Sequence, residues 1–152
     1  MKEKLRTPRG TAVVEFAVIL PLLVVIVFGI IEFSVLLYDK AMVTNASREG
    51  ARVGIVFNVD GNGDWIGMSD TTIRNTVNSY LSSYLISLGN SAATVSIPDP
   101  VRTTNPDTGA YSPGGTLTVS VTYTYTFMVI PNFIASIINP ITLTAQTVMR
   151  FE

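Results

Sequence analysis

Few residue types suited to catalysis occur in this 152-residue chain, because it contains neither histidine nor cysteine. Nucleophile–base pairs built on either residue, thiolate zinc sites and imidazole-ligated metals are therefore excluded. Lys40 is the only lysine outside the first ten residues, so a Ser/Lys dyad would have to use it beside an apolar segment. The carboxylates are scattered, and no glycine-rich phosphate loop follows a predicted strand. We therefore predict a protein that is not an enzyme and that has no cofactor.

One acidic cluster has the spacing of a metal site. Asp60, Asn62 and Asp64 alternate as at the start of a calcium-binding loop. An EF-hand counted from Asp60 requires glycine at position 65 and glutamate at position 71, where the chain has Trp65 and Thr71. Counting from two residues earlier also lacks the final glutamate. A calcium loop and an Asx/Gly turn are the two interpretations; we favour the turn and predict no metal site.

Charge and hydropathy separate the first part of the chain from the rest. Residues 1–10 carry a net charge of +3, and the remaining 142 residues carry −4. Residues 16–31 contain no charge, and the mostly apolar stretch 11–38 would form a helix of about 42 Å, longer than the ~30 Å hydrocarbon core of a bilayer. The basic tip predicts a cytoplasmic N-terminus and an extracytoplasmic body. Since the body is acidic and has no basic stripe, we predict no nucleic-acid partner.

Three interpretations compete for this apolar segment: a cleaved secretory signal, a plain single-span anchor and a prepilin. A signal peptide has a shorter apolar region that ends at a small-residue cleavage site, and the chain has no such site here. Glu15 and Glu32, which bound the uncharged run, are about 25 Å apart along a helix. Each would therefore lie near one membrane interface rather than at the costly bilayer centre.

The third interpretation rests on two motifs, RGTAVVEFAVILPLL at residues 9–23 and ASREGAR at residues 46–52. With them the chain resembles the TadE-like minor pilins, or pseudopilins, of tight adherence (Tad/Flp) pilus systems. The first third of the chain resembles the family closely. The remainder resembles it only in general character. It implies that a prepilin peptidase cuts between Gly10 and Thr11 and leaves Glu15 at mature position five, followed by Phe16. Other pilin subunits and inner-membrane lipid are the further partners that it implies.

Cleavage at Gly10 would create a new ammonium group at Thr11, at the edge of the hydrocarbon. An unpaired carboxylate at that level is costly, and Glu15 is the available partner. Glu15 would pair with its own Thr11 amine, or with the amine of a neighbouring subunit, or would simply reach the interface as a solvated side chain. Pro21 lies inside the apolar helix and predicts a kink or local weakness, although transmembrane helices also tolerate proline without a special role.

Beyond the apolar segment, residues 39–53 contain no helix breaker before Gly50, and we expect them to continue the same helix. Ala46, Gly50 and Gly54 recur at four-residue spacing and form a small-residue stripe where another backbone can approach closely. Arg48 and Arg52 are also four residues apart, on another face. They form either a solvated face or, with the stripe, a contact to a partner subunit.

Periodicity predicts an α+β fold for the body of the chain. Apolar residues recur at helical spacing over 70–88, after an N-cap at Ser69 and before a stop at Gly89. Strict alternation over 116–127, and looser alternation over 93–97 and 141–151, predicts a three-stranded antiparallel sheet covered on one side by helices. The proline-rich stretch 98–115 is predicted as an exposed loop, and 133–138 as an apolar turn that reaches a neighbour or the membrane surface.

The predicted organisation is a basic leader (1–10), a transmembrane assembly helix (11–38) and an extracytoplasmic domain (39–152). Two functions are consistent with it. The first is a minor pilin that contributes to initiation, tip structure or assembly of an adhesive tight adherence pilus. The second is a single-pass anchored interaction module that never enters a pilus. Loss of residues 1–10 with retention of the helix would distinguish the first from the second.

Overall fold

The computed structural model of the chain describes residues 8–59, 61, 65–86, 94–105, 113–127 and 139–151. It has an α+β architecture with a long N-terminal helix, a second helix and a four-stranded antiparallel sheet, which confirms the predicted fold class. The elements, in chain order, are α1 (Pro8–Gly54), β1 (Phe57–Val59), β2 (Trp65–Gly67), α2 (Asp70–Tyr84), β3 (Thr94–Ser96), β4 (Val101–Thr103), β5 (Thr116–Tyr125) and β6 (Ile141–Arg150).

Helix α1 is a single helix of 47 residues that joins the apolar segment to the domain. It begins at Pro8, whose missing N–H costs nothing in the first turn. The continuation predicted for residues 39–53 is confirmed, and the helix ends at Gly54. The first 22 residues with described side chains, 10–31, are all exposed, whereas buried positions recur from Glu32 onward. The same helix therefore supplies both an uncovered rod and part of the domain core.

Helix α2 begins as predicted and ends earlier. The side chain of Ser69 accepts a hydrogen bond from the N–H of Thr72 at 3.2 Å, which is an N-cap contact. Ile73, Val77 and Leu81 form its buried stripe. The helix was predicted to extend to residue 88, but it ends at Tyr84, because Leu85 adopts an extended conformation and the N–H of Ile86 donates to Asp39 instead. Gly89, the predicted stop, lies outside the described residues.

The main sheet is built around β5, which pairs with β6 over ten residues on one edge. The other edge is shared by two short strands: β3 pairs with 122–124, and β4 pairs with 116–118. The prediction of three strands and of an exposed loop over 98–115 was therefore wrong in one respect, since 101–103 form a fourth strand. Pro98 and Pro100 interrupt this edge because proline has no N–H to donate, and pairing resumes directly after them.

The side chain of Arg102 links the fourth strand, β4, to the start of α2. Its guanidinium lies 2.5 Å from the Asp70 carboxylate and donates to the carbonyl of Met68 at 2.8 Å. Both acceptors lie at the start of α2, so the ion pair ties β4 to the first turn of that helix. Strands β1 and β2, which flank the segment predicted as a turn around Asp60–Asp64, pair antiparallel from Phe57↔Gly67 to Val59↔Trp65. Most of the turn itself lies outside the described residues.

Packing against α1 sets the direction of the central hairpin. Leu117, near the start of β5, lies against the end of α1 at Gly54, while Tyr125, at the end of β5, reaches back to Glu32. β5 therefore runs antiparallel to α1, and β6 runs in the same direction as α1. The end of the hairpin where β5 leaves and β6 returns consequently lies beside the middle of α1, next to the exposed apolar half.

The core lies between the inner face of β5 and β6 and the two helices. Alternate residues of β5 are fully buried, as the strict alternation predicted. Phe151 closes one end of this core with its ring centroid 4.6 Å from that of Phe57. The buried apolar residues are Val43, Ala46, Ala51, Ile73, Val77, Leu81, Leu117, Val119, Val121, Tyr123, Tyr125, Leu143, Ala145 and Phe151.

Candidate assembly helix and its junction with the domain

The N-terminal half of α1 has no covering partner within the described part of the chain. Its most apolar 18-residue stretch is not buried at all, and large side chains such as Val18 and Leu22 are 71% and 62% exposed. Among the described residues, α1 is the one helix that is long and apolar enough to cross a membrane. A continuous uncovered apolar surface of this size requires lipid or other helices around it.

Glu32 marks the junction between the uncovered half and the domain. Its side chain is only 2% exposed, and the hydroxyl of Tyr125 donates to its Oε1 at 2.5 Å. The sequence predicts Glu32 near a membrane interface; the fold shows it covered by the domain, with Tyr125 as an internal hydrogen-bond donor. Burial, followed by the bond to this carboxylate, raises the pKa of Tyr125 well above its usual value, so that Tyr125 remains the donor.

Asp39 is the second buried acid on this face of α1, seven residues after Glu32. Its Oδ1 accepts the N–H of Ile86 at 3.1 Å, and its Oδ2 has no hydrogen-bond partner among the described residues. Desolvation raises the pKa of Asp39, and the bond from Ile86 opposes that shift. Asp39 in turn contributes to the raised pKa of Tyr123, after burial. The neighbouring Lys40 donates to the carbonyl of Thr144 on β6.

Sequence reasoning missed this junction. The signal that would have found it is the pair of acids at 32 and 39, since residues seven apart lie on one face of a helix. Together with the alternating tyrosines of β5, this spacing predicts carboxylates turned toward a partner that can donate hydrogen bonds.

The small-residue stripe faces the interior of the same chain. Ala46, Gly50 and Gly54 are buried, and a Cβ at Gly50 would lie 2.5 Å from Val77 Cγ2 on α2. The close approach predicted from these residues therefore exists, but α2 and β5 make it, which leaves these three residues no surface for a second subunit. Arg48 and Arg52 are exposed, and a subunit contact through them stays a prediction.

The comparison with protein families bears on this same helix. Residues 10–52 match the family model of TadE-like proteins. The predicted resemblance is thereby confirmed over that segment, which contains the second motif, all of the first motif except Arg9, and nearly the whole of α1. Searches of curated proteins and of solved structures found no match.

Within the TadE-like segment, the predicted processing and pairing residues lie in the uncovered half of α1. Gly10, Thr11, Glu15 and Phe16 are all exposed helical residues, and Phe16 is 63% exposed. A Cβ at Gly10 would meet no atom within 4 Å. Thr11 and Glu15 are one helical turn apart, as the pairing hypothesis requires.

Pro21 also lies in the TadE-like segment, and α1 continues across it as one helix. The bend or weakness predicted there stays a prediction. The described part of the chain contains no group of three or more acidic side chains that could hold a metal ion. Asp60 and Asn62 to Asp64, the residues of the rejected calcium loop, lie outside the described residues.

Proposed function

We propose that the chain is a minor pilin, or pseudopilin, that contributes to initiation, tip structure or assembly of a tight adherence pilus. The observation that carries this proposal is the division of α1 in the TadE-like segment. Residues 10–31 are exposed and overwhelmingly apolar, whereas the following residues are packed into a folded domain. A subunit built in this way presents one helix for packing with sister helices and keeps its domain folded independently of that packing.

A prepilin peptidase is the proposed processing partner, and the proposed cut lies between Gly10 and Thr11. Both residues are exposed and lie far along α1 from the domain, so cleavage would not disturb the core. The cut would remove the basic tip and retain the apolar helix, which keeps the subunit in the membrane until it is assembled. The +3 charge of residues 1–10 supports an inner-membrane protein with its N-terminus in the cytoplasm and its domain outside.

Glu15 is the proposed partner of the new Thr11 amine. The cost of a carboxylate at the edge of hydrocarbon falls when a cation neutralises it. Pairing with the amine of a neighbouring subunit would in addition set the axial register between packed helices. Phe16 and the following apolar residues would then make the lateral contacts, and Arg48 and Arg52 would face a further subunit.

The alternative is a single-pass anchored interaction module that stays outside any pilus. The junction at Glu32 favours this second candidate, because the domain already covers one face of α1 from that residue onward. Fewer faces of α1 after Glu32 are therefore free to pack against the helices of other subunits.

Intact mass of the membrane-extracted protein separates the two functions. A mass that lacks residues 1–10 supports the pilin, whereas a full-length mass supports the anchored module. Glu15→Ala and Glu15→Gln should leave this processing intact and impair assembly, because both remove the charge that pairs with Thr11. A photoreactive residue at position 15 should crosslink to another pilin subunit. Normal assembly of both variants would contradict the pairing role.

A further inference from the structure

The membrane-proximal end of the domain carries an apolar depression of about 240 Å³ beside α1. Its lining residues are Gly29, Glu32, Phe33, Leu36, Phe127 and Ile141. Four of them come from α1, while Phe127 follows β5 and Ile141 begins β6. The depression thus lies where the end of the hairpin meets the helix, at the border between the uncovered half and the packed half of α1.

The level of this depression along α1 coincides with the outer edge of a membrane that α1 spans. A hydrocarbon core of ~30 Å corresponds to about 20 helical residues. Counted from Glu15, the first acid of the apolar segment, that length ends near Val35. Gly29, Phe33 and Leu36 therefore lie just inside or at the outer hydrocarbon boundary, and the domain residues beside them lie at the same level.

The charge distribution around the depression suits lipid rather than water. Among the described lining residues, Glu32 is the only ionisable one, and Tyr125 donates a hydrogen bond to its carboxylate. Phe33 is 61% exposed and Ile141 is 37% exposed, so both present apolar surface at this level. In the sequence, no charged residue occurs from Phe127 to Ile141. Residues 128–138 lie outside the described part, and their two described ends flank the depression.

We propose that the domain makes a second contact with the membrane, in which lipid of the outer leaflet fills this depression. Phe127 and Ile141 would touch the acyl chains and Phe33 would continue the contact onto α1. The contact adjoins the transmembrane surface of the same helix, which is why lipid is the occupant that the position favours. Its effect is to hold the domain against the bilayer in one orientation before assembly. This inference rests on the membrane span of the proposed function.

Because the chain has no cysteine, single-cysteine variants of the full chain can report this contact directly. Ile141→Cys and Val148→Cys compare the two ends of β6, since both residues are exposed and apolar and lie seven residues apart, on opposite faces of the strand. Val25→Cys reports the span itself. Each variant is labelled with bimane and reconstituted in phosphatidylethanolamine/phosphatidylglycerol vesicles, with or without bromine on the acyl chains. Iodide in the buffer serves as the aqueous quencher.

We expect acyl-chain bromine to quench the labels at 25 and 141 and not the label at 148, and iodide to quench only the label at 148. Quenching of the label at 141 by iodide alone would overturn the lipid contact. Protection of that label from both quenchers would also overturn it, because a protein would then occupy the depression. A label at Val25 that is not quenched by bromine would instead contradict the span and the proposed function.

Asn139→Cys provides a second reporter if Ile141→Cys disturbs β6. Asn139 is exposed and precedes the strand, so its replacement removes no core contact. It should be quenched by acyl-chain bromine or by bromine placed nearer the headgroup, whereas the label at 148 should not. Equal quenching of the labels at 139 and 148 by lipid bromine would overturn the proposal independently of Ile141.

Discussion

The two halves of α1 have the same secondary structure and entirely different surroundings. Residues 10–31 are exposed throughout, while residues 32–54 contain a row of buried positions that faces α2, β5 and β6. Residues 10–31 contain one charged residue, Glu15, whereas residues 32–54 contain six, so charge and hydropathy already separate the two halves. The row of buried positions contains Glu32, Asp39, Val43, Ala46, Gly50 and Gly54.

The periodicity and size of the buried residues in 32–54 are a second difference between the halves. The buried row advances by three, four or seven residues and therefore follows one face of the helix. It carries small residues where α2 approaches and acids where the domain donates hydrogen bonds. The uncovered half is apolar on every face, which is typical of a helix surrounded by lipid or by other helices. A helix that is apolar on every face can pack against any apolar neighbour. A face that carries small residues and acids at fixed positions fits one particular partner.

The largest expected difference between the two halves is in the stability of the domain after one glycine in each half is replaced by leucine. Gly50→Leu should destabilise the domain by about 3 kcal/mol, since overpacking a close helix contact forces neighbours apart. A Cβ at position 50 would already stand 2.5 Å from Val77 Cγ2. Urea unfolding in detergent, followed by the fluorescence of the single tryptophan, measures the change.

Gly10→Leu is the matched control in the uncovered half, because a Cβ there would meet nothing within 4 Å. It should leave the unfolding midpoint of the domain unchanged. Equal destabilisation by the two variants would mean that the two halves do not differ in packing as described.

A smaller effect is expected at the junction. Tyr125→Phe removes the hydroxyl that donates to Glu32 and leaves a buried carboxylate without that donor. The expected cost is about 1–3 kcal/mol in the free energy of unfolding. Tyr84→Phe is the control, since Tyr84 is 51% exposed and its hydroxyl makes no hydrogen bond with the described residues, and it should cost little. Should the two variants prove equally stable, Glu32 would not depend on Tyr125.

The smallest effect is expected in the pH dependence of stability. Burial raises the pKa of Asp39 above its usual value of 3.8, so the folded state holds a proton that the unfolded state has already lost. This contribution to stability is complete below pH 3.8 and is lost as the pH rises through the folded-state pKa. The groups facing Asp39 include Tyr123 and Tyr125, whose raised pKa values keep them neutral over this range.

Asp39→Asn keeps an oxygen for the N–H of Ile86 and removes the titration. Unfolding midpoints measured between pH 4 and pH 8 should therefore decline less with rising pH in this variant than in the unchanged chain. Parallel profiles for the two proteins would rule out Asp39 as the source of the decline.

Much of the fold could be predicted from the sequence because its signals are local. Alternation over β5 and β6 gave the two long strands, and the spacing of Ile73, Val77 and Leu81 predicted the buried stripe of α2. The short strand β4 was not predicted, because three residues between prolines contain no periodicity. They form a strand only because the edge of β5 beside them is available for pairing.

The cut between Gly10 and Thr11 is implied by the resemblance to TadE-like minor pilins, and the pairing of Glu15 follows from the charge that this cut would create. Both remain predictions about partners outside the chain. For the junction, the spacing of Glu32 and Asp39 indicates that both acids share one face of α1, but nothing in the sequence identifies Tyr125, 93 residues later, as the donor to Glu32. For the same reason the stripe of Ala46, Gly50 and Gly54 was predicted correctly as a close-contact surface, but its partner was not.

By itself, the sequence determined that one long helix contains an uncharged apolar stretch, residues 16–31, and leads into an α+β domain. These properties depend on residue type and on periods of two and 3.6 residues, which are readable along the chain. Only the tertiary structure decided which face of that helix the domain covers, how deeply it buries Glu32 and Asp39, and where the hairpin meets the uncovered half. Such contacts join residues far apart in sequence, and their energies depend on shape and desolvation at the place where they meet.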